Sequence, residues 1–274
     1  MKFIGIDLGW EGKPTGLALL VEEAERLILV KHDRLVETSE ILAWIDGRCG
    51  SDDAMVAVDA PLIIRNATGM RPAEKQCQER YASRHAGSYP SNLGRPFARQ
   101  TTAFAAELAQ RGFRHGVNIT PRCPGRYQLE VFPHPAAIEL FALDQIIKYK
   151  KGDVDERRAG LIRYRAMLVE KLGVLEPALK PDNLPVIPHD GTALKDLEDR
   201  LDAVLCAYIG AYCWHWGMSR NRVLGDDENG YIVVPLAQPA ACQPSACAAG
   251  MPDRNVIAAV YRSPRTPNGQ LRHP

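Results

Sequence analysis

The 274-residue sequence predicts an α/β fold in which helices flank a mixed sheet. Three short runs rich in Ile, Leu and Val, at residues 2–8, 16–22 and 26–36, are separated by turns, which is typical of an antiparallel meander. After a helix, strands and helices alternate along the chain, which predicts a parallel part of the same sheet with helices on both faces. A composition that is 46% hydrophobic and 24% charged is ordinary for a globular domain of this length.

The first half of the chain continues with one helix and a fourth strand. The helix begins its apolar face at Ile41 and is expected to end near Gly47. The fourth strand, at residues 54–62, is almost continuously apolar apart from Asp59. Such a run favours a strand that is buried on both faces.

A long basic insertion follows strand four. Periodicity fails over residues 66–97, which predicts an ordered loop with one short helix near residues 72–82, and an amphipathic helix is expected at 101–111. Between Arg65 and Arg126, ten Arg and one Lys against three Glu give a net charge of +8, which leaves −7 for the rest of the chain. This basic insertion, residues 66–126, suits a polyanionic partner, and a solvated arginine-rich surface explains the charge equally well.

The second half of the chain resumes the alternation of strands and helices. The predicted elements are a fifth strand at 127–131, helices at 134–143, 155–172 and 193–216, and a last strand at 231–235. The helix at 193–216 has the clearest apolar stripe at 3.6-residue spacing. We therefore expect one domain over residues 1–236, followed by a peripheral tail at 237–274 that is rich in Pro, Ala, Gly and Arg.

Several protein classes are disfavoured by the composition. There is no uninterrupted apolar run of 18 residues, so no membrane span is expected, and the N-terminus does not have the pattern of a signal peptide. The seven cysteines are odd in number and contain no CxxC pair. This pattern favours reduced thiols in a cytoplasmic protein over a disulfide framework or a zinc site.

Two acids are expected at the ends of apolar strands. Asp7 lies near the end of strand one between Gly5 and Gly9, and Asp59 lies near the end of strand four. Functional sites of parallel sheets form at the carboxyl ends of the strands. If the two strands are adjacent, the carboxylates face each other and cannot both ionise cheaply without a cation. Mg²⁺ or Mn²⁺ is the expected cation because both prefer carboxylate and water oxygens.

The last long helix supplies further acids. Asp199 and Asp202 are three residues apart and therefore project from one side of the helix. Asp202 borders the apolar stripe, and Asp199 is expected further toward the exposed face. Glu198 rivals Asp199 as the second acid, and Glu130 on strand five is another candidate. Together the acids predict a two-metal site for phosphodiester cleavage.

Each of these residues also has a structural interpretation. Asp7 and Asp59 could cap turns, and the helix acids could be favourable charges near a helix N-terminus. His134 could assist proton transfer near neutral pH, and a structural role at a helix start is an alternative. The combination of acids on two apolar strands with a helical DxxD favours the metal site.

Seven short segments, in this order, carry a resemblance that spans residues 2–236. They are Ile4-Gly5-Ile6-Asp7, Ala57-Val58-Asp59-Ala60-Pro61-Leu62, the run from Asn66 to Glu74, Glu130-Val131-Phe132-Pro133-His134, Lys148-Tyr149-Lys150, the run from Glu198 to Ala203, and Gly230-Tyr231-Ile232-Val233-Val234-Pro235. Through them the chain resembles the ribonuclease H-like superfamily, and specifically a predicted-nuclease family catalogued as domain of unknown function 429.

The resemblance implies a mixed five-stranded sheet of order 3-2-1-4-5 and a metal-dependent nuclease that acts on DNA or RNA. It implies that Asp7 bridges two Mg²⁺ ions, that Asp59, Asp202 and Asp199 complete the ligands, and that Glu130 is a further ligand or an acid behind them. Holliday-junction resolvases of the superfamily place a DxxD on the same helix. Such relatives are dimers, so a homodimer is a further expectation.

Four basic residues are expected to contact substrate phosphates: Arg71, Arg84, Lys148 and Lys150. Arg71 has an alternative role as the partner of Glu74 in a structural ion pair. The two lysines are explained equally well by a solvated basic turn.

Two other functions compete with the nuclease. An actin-like ATPase or sugar kinase shares the Gly-x-Asp-x-Gly pattern of Gly5–Gly9, yet Asp59 is followed by Ala-Pro-Leu rather than by a glycine turn, and the chain has no duplication. A catalytically silent nucleic-acid-binding protein of the same fold is the other alternative, which the intact acids disfavour.

Overall fold

A computed structural model describes residues 1–10 and 12–236. In this part the chain forms an α/β fold in which helices flank a mostly parallel, mixed sheet of seven strands. No helix in the described ranges is long and apolar enough to span a membrane. The predicted tail at 237–274 lies outside the described residues.

The first three strands form the predicted meander. They are β1 (Lys2–Asp7), β2 (Thr15–Glu23) and β3 (Arg26–Leu35), and each pairs antiparallel with the next. Asp7 lies opposite Gly16 at the end of the β1–β2 ladder. The meander therefore places Asp7, the first predicted acid, at the carboxyl end of a central strand of the sheet.

The fourth strand runs parallel to the first. Helix α1 (Thr38–Cys49) leads into β4 (Ala54–Val58), and all five residues of β4 are buried, as its apolar run predicts. The strand ends before Asp59, although the Asp59 backbone N–H still donates to the Ile6 carbonyl at 2.8 Å. This hydrogen bond places Asp59 beside the end of β1.

The remaining elements alternate as expected, with three additional strands, of which two have only two residues each. They are α2 (Pro72–Tyr81), α3 (Ala98–Gln110), β5 (Arg114–His115), β6 (Arg126–Glu130), α4 (Pro133–Phe141), α5 (Val154–Leu172), β7 (Ala178–Leu179), α6 (Leu194–Trp216), β8 (Asn221–Asp226) and β9 (Gly230–Pro235). Short 3₁₀ helices occupy Ala82–Arg84, Gly191–Ala193 and Gly217–Arg220.

The strand order across the large sheet is β5-β6-β4-β1-β2-β3-β7. The predicted count of five was wrong because the two-residue strands β5 and β7 extend the two edges, and runs of that length leave no periodic signal. The predicted last strand, β9, pairs instead with β8 in a separate antiparallel hairpin, which a bridge between Val131 and Val233 joins to the end of β6. The basic insertion contributes β5 to the sheet and is not simply a surface loop.

Helix α6 lies directly against the meander because two glycines allow close approach. A Cβ built on Gly5 would lie 1.9 Å from the Ala203 carbonyl oxygen, and one on Gly16 would lie 2.0 Å from the Asp199 carbonyl oxygen. These contacts hold the N-terminal half of α6 over the carboxyl end of β1.

Apolar side chains fill both faces of the sheet. One core lies under α4, α5 and α6, and the other lies under α1 and α3. Because α6 is covered by the sheet on one side and by α4 and α5 on another, it is buried along most of its length. The expectation that Asp199 lies toward an exposed face of α6 is therefore wrong, since its side chain is 3% exposed.

Candidate active site

Three of the predicted acids meet at one end of the sheet. Asp7 ends β1, Asp59 follows β4, and Asp202 projects from α6 toward both. The charge of Asp202 raises the pKa of both Asp7 and Asp59, and the charge of Asp59 also raises the pKa of Asp7. The parallel pairing of β1 with β4 brings Asp7 and Asp59 together, and the close packing of α6 against Gly5 brings Asp202 to them.

Lys150 joins this cluster from the loop after α4. Its Nζ lies 2.8 Å from Oδ2 of Asp202, which is fully buried, while 34% of the lysine side chain remains exposed. The Tyr149 hydroxyl donates to Asp202 Oδ1 at 2.7 Å. Both oxygens of Asp202 therefore have a partner, and the ammonium also attracts Asp7 and Asp59.

The three acids differ in their protonation. Burial, and then the charge of Asp202, raise the pKa of Asp7 well above its ordinary value. Burial raises the pKa of Asp59 to about 7, with Asp202 and Glu130 adding to the rise. Burial opposes ionisation of Asp202 as well. The Lys150 charge and the hydrogen bonds that Asp202 accepts from Lys150 and Tyr149 nevertheless hold the pKa of Asp202 below its ordinary value. Asp202 is thus the ionised partner of Lys150, and the other two acids lack full compensation.

His134 lies beside the same cluster. Burial and the nearby Lys150 ammonium lower the pKa of His134 to about 4. Its ring meets the Tyr149 ring edge-on, with centroids 6.3 Å apart. At neutral pH His134 is therefore an uncharged ring that packs beside the acids.

Glu130, which lies close enough to Asp59 to raise its pKa, is bound by Arg71. Arg71 is 1% exposed, and its Nη1 and Nη2 donate to the two Glu130 carboxylate oxygens at 2.9 and 2.5 Å. The Arg71 Nε donates to Glu74 at 2.7 Å, and Nη1 also donates to the Ile63 carbonyl at 2.7 Å. Every nitrogen of the guanidinium is used within the protein, and the contact with Glu74 is the structural ion pair that the sequence suggested as an alternative role.

Asp199 and Glu198 have cationic partners of their own. Arg34 Nε donates to Asp199 Oδ2 at 2.8 Å, and Lys195 Nζ lies 2.8 Å from Asp199 Oδ1. Lys195 also contacts Glu198 at 2.5 Å, and Arg157 lies 3.7 Å from the other Glu198 oxygen. Of the helical DxxD, Asp202 therefore contacts the Lys150 centre directly, and Asp199 faces a different set of cations near Asp7.

The predicted phosphate-binding residues separate in the structure. Lys150 lies at the acids, whereas Lys148 is exposed two residues earlier on the same loop. Arg84 donates to the carbonyl oxygens of Leu143 and Asp144 after α4. Its role there is to hold the end of that helix.

Two clefts open beside Asp7. The first, the acid cleft, has a volume of about 200 Å³, and its lining includes Asp7, Asp59, Glu130, Trp10 and Tyr89. The second, the cation cleft, has a volume of about 510 Å³, and its lining includes Asp7, Trp10, Lys13, Arg34, Lys150 and Lys195. Asp7 and Trp10 line both clefts and stand where they adjoin.

Residues 5–229 match the family described as "Protein of unknown function (DUF429)". The chain belongs to this family. The DUF429 match includes all the acids of the cluster and Lys150. No curated protein matches the chain.

The candidate site of this DUF429 chain contains two residues that the sequence alone did not indicate, Tyr149 and Gly160. Tyr149, the middle residue of Lys148-Tyr149-Lys150, donates a hydrogen bond to Asp202 and stacks on Tyr164 with ring centroids 4.6 Å apart. Gly160 allows α5 to pack against this loop, since a Cβ there would lie 2.1 Å from the Lys148 carbonyl oxygen. The sequence signal that could have indicated these two residues is the Lys-Tyr-Lys motif followed by a helix that contains a glycine.

The donor set of the cluster has the chemistry of a hard-cation site. Within the described residues, no group of three or more His, Cys, Asp and Glu side chains is already arranged to hold a metal ion. Lys150 and Tyr149 contact the two carboxylate oxygens of Asp202. Three ionised carboxylates beside the single Lys150 ammonium would carry excess negative charge, and burial together with this repulsion raises the pKa values of Asp7 and Asp59. Oxygen donors with that charge suit Mg²⁺ or Mn²⁺.

Proposed function

We propose that this protein is a metal-dependent nuclease that hydrolyses phosphodiester bonds of nucleic acid at Asp7, Asp59 and Asp202. The observation that carries the proposal is the convergence of two part-buried carboxylates, at neighbouring parallel strand ends, with a third carboxylate from α6. Buried carboxylates whose pKa is raised by burial and by a neighbouring carboxylate are costly to keep for folding alone. Such clusters are typical of functional sites.

The proposal includes a ribonuclease H-like fold. Within the seven strands, β3-β2-β1-β4-β6 are consecutive neighbours, with the first three antiparallel and the last three parallel. That arrangement supports the order that the resemblance implies for its five strands. The positions of the acids, on β1, after β4 and on the last long helix, also support the proposal.

Mg²⁺ or Mn²⁺ is the proposed cofactor, held by Asp7, Asp59 and Asp202. When bound, a divalent cation supplies an activated water and stabilises the charge on the departing oxygen, and a second cation divides these two tasks. Asp199 is the proposed additional ligand for a second cation, and Glu130 remains with Arg71 behind Asp59.

The residues of the chain have separate tasks in this proposal. Lys150 neutralises Asp202 and offers its ammonium to a substrate phosphate, since about a third of its side chain faces solvent. Tyr149 orients Asp202 through the hydroxyl bond to Oδ1. His134 is uncharged at neutral pH, so the local charge at the site comes from Lys150 and the acids.

Cleavage assays test the proposal directly. The wild-type chain is incubated with Mg²⁺ or Mn²⁺ and a panel of single-stranded, duplex, hybrid and branched DNA and RNA, beside Asp7→Asn and Asp59→Asn. Asp227→Asn, an exposed acid in the β8–β9 turn, is the matched control. We expect cleavage by the wild type and the control, and a loss of a thousandfold or more, roughly, in the two site variants.

The alternatives correspond to defined outcomes of the same assays. Cleavage that is absent from every protein, or equal in wild type and Asp7→Asn, would contradict the nuclease. Binding of nucleic acid without cleavage would favour the catalytically silent protein. Metal-dependent hydrolysis of ATP in a parallel reaction would favour the actin-like ATPase or sugar kinase. Calorimetric titration with Mn²⁺ adds a readout that does not require turnover, and we expect weaker binding in both site variants.

A further inference from the structure

Trp10 presents an exposed aromatic face beside the candidate active site. Its side chain is 37% exposed, although it packs on the nearly buried Phe97 with ring centroids 4.2 Å apart and an angle of 30° between the rings. One face of the indole is therefore supported by the protein. A large ring that is held on one face and open elsewhere is ready to stack on a planar ligand.

The turn between β1 and β2 fixes this position. Gly9 permits a tight turn, because a Cβ there would lie 2.0 Å from the Lys13 carbonyl oxygen. The Lys13 backbone N–H donates to the Trp10 carbonyl at 3.1 Å, so Trp10 and Lys13 belong to one closed turn. The same turn follows Asp7 directly, which holds an aromatic ring and a cation next to the acid.

Trp10 lines both clefts, and the other residues that line them differ in character. The acid cleft contains Asp59 and the exposed ring of Tyr89, which is 75% exposed. The cation cleft contains Lys13, Lys150 and Lys195. Cations that follow a phosphate backbone and aromatic rings that stack on bases are the two components of single-strand recognition.

We propose that the acid and cation clefts form one groove for single-stranded nucleic acid, in which Trp10 stacks on an unpaired base and Lys13 contacts a phosphate. The inference rests on the proposed function, because it names the substrate class of the same site. A duplex hides its base faces within the stack, so the exposed indole favours a strand whose bases are already unpaired. Single-stranded DNA and RNA share this chemistry.

Binding without metal tests the groove separately from cleavage. Fluorescently labelled oligodeoxythymidylate and oligouridylate of about ten nucleotides, a matching abasic oligomer and a duplex are titrated into the wild type in EDTA. We expect the single strands to bind more tightly than the duplex and the abasic oligomer. The DNA and RNA arms show which sugar the groove prefers.

Substitution of Trp10 tests the stacking contact. We expect Trp10→Ala to raise the Kd for the single strands by roughly tenfold or more, and to leave the Kd for the abasic oligomer nearly unchanged. Trp10→Phe keeps a ring on Phe97 and is expected to recover most of the affinity. Equal Kd values for wild type and Trp10→Ala, both folded by circular dichroism, would overturn the inference, as would tighter binding of the duplex.

Substitution of Lys13 tests the backbone contact. We expect Lys13→Ala to reduce the dependence of log K on log salt by about 0.7, which corresponds to one phosphate contact on a single strand. Lys31→Ala, in a separate cleft beside β3, is the matched control and is expected to leave the slope unchanged. An unchanged slope in Lys13→Ala would remove Lys13 from the groove.

The failures of the two proposals are distinguishable. Single-strand binding that depends on Trp10, without any cleavage, would retain the groove and reject the nuclease. Cleavage that depends on Asp7 but not on Trp10, with no preference for single strands, would retain the nuclease and reject the groove.

Discussion

Lys150 Nζ lies 2.8 Å from Oδ2 of Asp202, a carboxylate that is fully buried on α6. The lysine comes from a loop, and about a third of its side chain is exposed, so the buried charge is neutralised from the cleft side. The ammonium also faces Asp7 and Asp59, the acids proposed to hold a metal ion. Lys150 and a divalent cation are therefore expected to compete for the same carboxylates.

Lys150→Met should expose this competition. Without the ammonium, Asp202 remains buried with only the Tyr149 hydroxyl as a partner, so we expect a loss of about 2–3 kcal/mol in the free energy of unfolding in EDTA. Because the competing cation is gone, added Mn²⁺ should raise the melting temperature of this variant more than that of the wild type. Differential scanning calorimetry with and without Mn²⁺ measures both effects.

Lys148→Met is the matched control for this substitution. Its lysine is exposed two residues away, so we expect a change within about 0.5 kcal/mol and the wild-type response to Mn²⁺. Equal stability of Lys150→Met and Lys148→Met in EDTA would contradict the importance of the Lys150–Asp202 pair.

Asp59 should make the metal-free protein less stable at higher pH. The pKa of Asp59 rises from 3.8 to about 7 on folding, so the folded state holds a proton that the unfolded state releases between these values. This contribution to stability is fully present below pH 3.8 and is lost as the pH rises through about 7. Asp59→Asn removes the dependence, and we expect it to be more stable than the wild type at pH 8 by about 2–3 kcal/mol, a value reduced for the partial exposure of the residue.

Urea unfolding at several pH values in EDTA measures this difference. The gap between Asp59→Asn and wild type should shrink as the pH falls toward 4 and should also shrink at pH 8 when Mn²⁺ is added. A gap that stays constant from pH 4 to pH 8 would show that Asp59 does not titrate in this range.

Gly5→Ala should disturb the contact that seats α6 on β1. The new Cβ would lie 1.9 Å from the Ala203 carbonyl oxygen and 2.3 Å from the Ala207 nitrogen, both of which are backbone atoms. We expect a loss of about 3 kcal/mol or more in the free energy of unfolding. Gly47→Ala is the control, since Gly47 lies in α1 with no neighbour within 4 Å of its Cβ position, and it should gain about 0.5–1 kcal/mol. Chemical denaturation compares the two, and an unperturbed Gly5→Ala would mean that α6 can shift on the sheet at little cost.

Arg71→Lys should reveal a structural residue. A lysine cannot replace the bidentate bond to Glu130 together with the bonds to Glu74 and Ile63, so we expect a loss of about 2–4 kcal/mol. At a temperature where the variant is folded, its affinity for single-stranded oligonucleotides should equal that of the wild type. Arg65→Lys, which changes an exposed arginine, controls for the substitution itself. A weaker affinity with unchanged stability would restore the phosphate-binding role that the sequence suggested for Arg71.

Much of the architecture follows from local patterns in the sequence. Apolar runs, helix-start and helix-end residues and 3.6-residue periodicity predicted β1 to β4, β6, β9 and five of the helices, because each signal depends on the residues within the element. The sixth helix, α2, was expected inside a segment without periodicity. The short strands β5 and β7 escaped because two residues carry no period, and they exist through pairing with a longer neighbour.

The sequence by itself also determined that Asp7 and Asp59 end buried strands and that Asp202 borders the apolar face of α6. Only the tertiary structure decided the partners of these acids: Lys150 with Asp202, Arg71 with Glu130, and Arg34 with Asp199, residues that are 165 positions apart. Local periodicity sets the face on which a side chain lies, whereas its partner depends on how helices and loops dock on the sheet. Here that docking is set by the close approach of α6 to Gly5 and Gly16, which is a contact between backbones distant in the chain.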